Sequence, residues 1–97
     1  MADLPAGLLE AVKNDNDMTW TLTSEETSKL TGIISRGMSR IDDIIGKSLD
    51  YTVEAAPREL LMAYVKYERA GKLHLFEDNN RYQLIRLAAT AEVSDDT

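Results

Sequence analysis

The chain has 97 residues, with 17 acidic side chains against 11 basic ones and a formal net charge of -6. That length suits one domain, and a composition of 43% hydrophobic and 29% charged residues argues against wholesale disorder. The acidic balance opposes the phosphate neutralisation on which non-specific nucleic-acid binding depends. With no cysteine and one histidine, His74, it leaves no disulfide, thiolate metal site or cysteine nucleophile and little basis for a histidine triad.

Leu4 to Asp17 is the first predicted element. Pro5 stands near a possible helix start, where its missing N–H costs little, and Leu4, Leu8, Leu9 and Val12 follow at helical spacing. The run Asn14-Asp15-Asn16-Asp17 supplies four turn formers that end it. Met18 to Leu22 is short and partly apolar, centred on Trp20.

Thr23-Ser24-Glu25-Glu26 fits a capping box and opens a long helix from about Ser24 to Gly46. Within it, Leu30, Ile33, Ile34, Met38, Ile41, Ile44 and Ile45 share an arc of roughly 140°. Gly37 lies inside that arc, where the lack of a side chain lets another helix approach closely, and Gly46 suits the C-terminal cap.

Pro57 marks the next start, with Glu54 and Glu59 at the positive end of the dipole. Leu60, Leu61, Tyr64, Val65 and Tyr67 repeat at helical intervals as far as Gly71. Leu73, Leu75 and Phe76 prolong the apolar pattern, and Glu77-Asp78-Asn79-Asn80 reads as a turn. A last helix, Tyr82 to Ala91, carries Tyr82, Ile85 and Ala89 on one face and Leu84 and Leu87 on another, so it needs two partners. An acidic tail begins at about residue 93. The expected architecture is all-α: one domain over residues 1–97, a small four-helix-type bundle with one long central helix. No apolar run approaches a membrane span and the N-terminus lacks a signal-peptide pattern, so a soluble intracellular protein is expected.

Few residues carry chemistry. The carboxylate pairs Glu25/Glu26, Asp42/Asp43, Glu77/Asp78 and Asp95/Asp96 are adjacent in sequence. On a helix such neighbours diverge by about 100°, and solvated faces explain them. Residues 14–17 resemble the start of a calcium loop but lack its central Gly and closing Glu. No serine has a nearby histidine, and His74 between two leucines reads as a half-buried structural residue. No catalytic, metal or cofactor site is expected. Lys29, Arg36, Arg40 and Lys47, spaced 7, 4 and 7, share one flank of the long helix. Glu25 and Asp43 provide local partners for Lys29, Arg40 and Lys47, whereas Arg36 has none at helical spacing. Glu68 falls in the apolar stripe of its helix, facing either Lys72 or a cation on another subunit. The strip is either a solvated face, a contact with an acidic surface of a second copy, or the binding edge of a small regulatory or nucleic-acid-binding module.

The succession Val12-Lys13-Asn14, Met18 to Thr27, Ile33 to Gly37, Ile41 to Lys47, Ala56 to Leu61, Tyr64 to Arg69 and Phe76-Glu77 resembles the head–tail connector proteins of tailed bacteriophages, over about residues 8 to 93. The resemblance implies a non-enzymatic virion protein that joins a ring beneath the portal and extends the DNA channel between head and tail. It implies a closed ring of about a dozen copies, contacts with the portal and a tail or stopper protein, DNA passing without specific binding, and no membrane. On that reading Lys29, Arg36, Arg40, Lys47, Glu68, Tyr82, Leu84 and Leu87 are candidates for the subunit interface. Portal docking falls in the C-terminal part, with Leu87 and Val93 as candidates. The protein is then expected at the virion head–tail junction, after a stay in the host cytoplasm.

Overall fold

The computed structural model describes the backbone of residues 4–18, 20–53 and 55–95, and side chains as far as residue 90. Five α-helices follow one another: α1 (Leu8–Asp15), α2 (Ser24–Ile45), α3 (Ala56–Arg69), α4 (Phe76–Asn79) and α5 (Arg81–Asp95), with a 3-10 turn at Leu73–Leu75 before α4. The described residues contain no strand. The all-α expectation holds, and α2 is its long central helix.

Each boundary has a local cause. α1 begins at Leu8 rather than beside Pro5, because Gly7 takes a left-handed conformation (φ 80°) that a helix cannot include. At α2 the capping box is complete: the Glu26 N–H donates to Thr23 Oγ1 at 3.1 Å and the Thr23 N–H to Glu26 Oε1 at 2.9 Å. Gly46 closes α2 in the left-handed region (φ 83°), its N–H donating to the Asp42 carbonyl. Pro57 occupies the first turn of α3. Glu77 to Asn80, read from sequence as a turn, instead lies mostly within the one-turn helix α4. The last helix runs to Asp95, beyond the expected end at Ala91, because no glycine or proline interrupts residues 82–95.

Helices α2 and α3 form the central pair, and α5 packs on both of them. Their crossing is close at Gly37, which is buried: a β-carbon there would stand 2.7 Å from Tyr64 Cδ1 and 2.8 Å from Leu61 Cδ1. The core gathers Leu8 and Val12 of α1, Leu30, Ile34 and Ile41 of α2, and Leu60, Leu61, Tyr64 and Val65 of α3. Phe76 of α4 and Leu84 and Leu87 of α5 complete it. Phe76 is held edge-on between Tyr64 and Tyr67, at centroid distances of 5.4 and 5.9 Å. Lys66 bridges to Asp15 at 3.1 Å and Arg69 donates to Asn16 at 3.2 Å, tying α1 to α3.

Two core residues come from connections. Met18 is buried, and so is Tyr51. The Tyr51 hydroxyl donates to Asp42 Oδ1 at 2.6 Å, and the same oxygen accepts the Leu49 N–H at 3.1 Å. Asp42 is therefore a fastener for the α2–α3 connection and not part of a solvated carboxylate pair. Burial and the Asp42 carboxylate together hold the Tyr51 phenol far above its usual range.

Candidate assembly surfaces

Helix α5 supplies the first surface. Its apolar residues divide as their spacing predicts, Leu84 and Leu87 facing α2 and α3 while Tyr82 and Ile85 remain 68% and 61% exposed. The inner pair is thus consumed within the chain. Leu84 and Leu87, expected at a subunit interface and Leu87 also at the portal, thus have little surface left outside the chain's own core. The outer pair has no covering element among the described residues. The Arg86 guanidinium lies 5.6 Å from the centre of the Tyr82 ring, a cation–π contact that holds the ring against its own helix. Val93 falls outside the described side chains.

The basic flank of α2 is the second surface. Arg36 does have a partner: its Nε donates to Glu68 Oε1 at 3.4 Å and its Nη2 to Glu68 Oε2. The two residues that looked unpaired in sequence satisfy each other across the α2–α3 crossing, 32 positions apart, which corrects the assignment of Glu68 to Lys72 or a second subunit. Arg40 likewise donates from Nε, at 3.1 Å, and from Nη2 to Glu77 Oε2. These contacts raise the pKa of both guanidiniums further above their ordinary value. The Tyr64 hydroxyl faces the Arg36–Glu68 pair, and burial together with the Glu68 carboxylate raises its pKa. Lys29 lies 4.0 Å from Glu25, the i,i+4 partner expected from sequence. Lys47 lines a shallow open groove with Arg36, Ser39, Arg40 and Asp43.

Both guanidiniums remain more than half exposed, at 59% and 55%, so the pairs orient the arginines more than they stabilise the fold. They also place a carboxylate beside each cation that a phosphate would need, which removes most of the counterion-release gain from a nucleic-acid contact there. His74 is exposed in the 3-10 turn, not half-buried. Among the described residues no group of three or more His, Asp or Glu side chains is arranged to hold a metal ion, and no helix is long and apolar enough to cross a membrane.

The third feature is Trp20, 50% exposed at the edge of a groove lined by Met18, Leu22, Leu30 and Ile33, where the α1–α2 connection crosses the start of α2. Sequence spacing gives no means of finding it, because the connection has no periodicity. No family model matches the chain, and no curated protein or solved structure is significantly similar to it.

Proposed function

We propose that this chain is the subunit of a homo-oligomeric ring that sits beneath the portal of a tailed bacteriophage and joins the head to the tail. The observation that carries this reading is the double-faced α5: one apolar face closes the chain's own core while Tyr82 and Ile85 of the other stand in solvent. A helix of that kind is partnered on its second side, and a copy of the same chain is the partner that a ring supplies. The order and spacing of the segments that resemble connector proteins, over about residues 8 to 93, supply the biological setting.

The mechanism is geometric. Each subunit offers one surface to the copy before it and a different one to the copy after it, a head-to-tail arrangement that closes if the rotation per subunit divides a full turn. The ring then bridges two larger rings, the portal above and the tail or stopper protein below, and DNA passes through its channel. Sedimentation velocity and electron microscopy of the protein, alone and mixed with portal rings, test the proposal. Closed rings of uniform mass, stacked coaxially on portals, are expected. A monomer at every concentration that leaves portals undecorated overturns the reading.

A further inference from the structure

Helices α2, α3 and α5 each pack on the other two, and α4 joins them through α3 and α5. The first helix, α1, stands outside this closed set, with α3 as its main helical neighbour. It is eight residues long, well below the roughly 12–15 at which an isolated helix is even marginal, so docking on α3 is what keeps it folded. No side chain caps its start at Gly7, and only Leu8 and Val12 of its residues are buried. Its polar ties to α3, Asp15 to Lys66 at 3.1 Å and Asn16 to Arg69 at 3.2 Å, lie at the surface. The seam is also incomplete. An open groove runs between Ala11, Asn14 and Asp15 on one side and Arg58, Glu59 and Met62 on the other.

The rest of the fold is anchored without α1. The start of α2 is fixed by its own capping box, in which Thr23 and Glu26 satisfy each other. Met18 is buried in the groove that it lines with Leu30 and Ile33 of α2. Between Met18 and α1 stand only Asn16 and Asp17, and Asp17 takes the left-handed conformation that commonly ends a helix (φ 56°). The boundary between α1 and the body of the fold is two residues wide.

We infer that α1 is a releasable strap, which swings away about Asn16 and Asp17 while α2, α3 and α5 remain folded. Release uncovers the stripe of α3 that carries Arg58, Met62, Lys66 and Arg69, spaced 4, 4 and 3, together with the apolar surface that Leu8 and Val12 cover. The chain thus holds a second apolar surface in reserve, opened without loss of the core. This is independent of the ring reading, because it concerns the free chain alone.

The lack of cysteine makes thiol labelling a clean report of opening. Val12 of α1 and Val65 of α3 are both fully buried, so V12C and V65C compare the strap with the core in the full chain. The V12C thiol is expected to react with a water-soluble thiol reagent at least about tenfold faster than the V65C thiol, each normalised to its own unfolded chain. The V12C rate changes little in low urea while the V65C rate rises steeply, since the surface exposed on opening sets the slope. Amide exchange in the wild type makes the same comparison without substitution: Ala11, Val12 and Lys13 exchange through a small opening, Leu61 and Val65 through global unfolding. Equal rates and equal urea slopes, for the two thiols or for the two sets of amides, would mean that α1 leaves only when the whole fold unfolds, and would overturn the strap.

Discussion

Gly37→Ala and Gly32→Ala make the same chemical change in the same helix and are expected to act in opposite directions. Replacing a mid-helix glycine by alanine contributes about 1 kcal/mol of stability through backbone entropy. At Gly32 the new methyl meets only Arg36 Nη1, at 3.2 Å, the end of a long side chain that is more than half exposed and can give by a few tenths of an ångström, so most of that gain survives. At Gly37 the methyl would lie 2.7 and 2.8 Å from carbons of Tyr64 and Leu61, roughly 1 Å inside ordinary contact distance. Neither neighbour yields easily. Leu61 is fully buried, and the Tyr64 ring is wedged against Phe76 at 5.4 Å. Overpacking a core in this way costs about 1–3 kcal/mol, so Gly37→Ala is expected to be destabilising by about 1 kcal/mol net and Gly32→Ala stabilising by just under 1. A separation near 2 kcal/mol corresponds to about 10 °C in Tm for a domain of this size. Urea and thermal unfolding followed by circular dichroism measure both. Equal stabilisation by the two substitutions would refute the close α2–α3 crossing.

Other predictions address single contacts. Thr23→Ala removes the hydroxyl half of the capping box and lowers stability by about 1 kcal/mol, while Thr23→Ser retains most of it; equal losses in urea unfolding argue against the cap. Tyr51→Phe strips Asp42 of its hydroxyl donor and costs about 1–2 kcal/mol at neutral pH. The folded-state phenol is held above its unfolded value, so its contribution is intact below about pH 10. As the unfolded chain ionises above that, it is lost at about 1.4 kcal/mol per pH unit. The gap between wild type and Tyr51→Phe therefore narrows in alkali, and a constant gap counts against the Asp42 contact. A double-mutant cycle on Arg36→Gln and Glu68→Gln gives a coupling of about 0.5 kcal/mol that shrinks with salt, and zero coupling at low salt means the pair does not form. Ile85→Asp leaves the monomer's unfolding midpoint within about 0.5 kcal/mol of wild type, as surface changes do, but abolishes ring assembly; intact rings sink the role given to α5.

Local physics made most of the fold legible. The Thr23/Glu26 cap, Gly46 at the end of α2, Pro57 in the first turn of α3 and Gly37 within the buried arc all rest on contacts one turn away or on the shape of one residue. Long-range contacts escaped. Arg36 and Glu68 looked like two separate anomalies because helical spacing registers partners only three or four positions away, and their join depends on how α2 crosses α3. Tyr51 and Met18 enter the core from connections that have no period, so their burial depends on tertiary packing alone. For α5 the sequence indicated two apolar faces but not which one turns inward. Packing on α2 and α3 decides that, placing Leu84 and Leu87 inside and Tyr82 and Ile85 outside.

Pairing also changes what the net charge means. Lys13, Lys29, Arg36, Arg40, Lys66 and Arg81 each bridge to a carboxylate of the same chain. Every such pair cancels one charge of each sign, so 11 acidic groups and five basic ones lie outside these six pairs and carry the -6 balance. A nucleic-acid module needs the opposite arrangement, with cations on one face and their counterions displaced on binding. In the proposed ring, an acidic channel wall would repel phosphate at short range and offer it no counterion release, so that DNA slides without being held. Rings are then expected to pass through a heparin column at low salt unretained, as is the monomeric Ile85→Asp variant. Retention of rings but not of monomers would mean that assembly turns a basic surface toward the channel, and the account of the charge would be wrong.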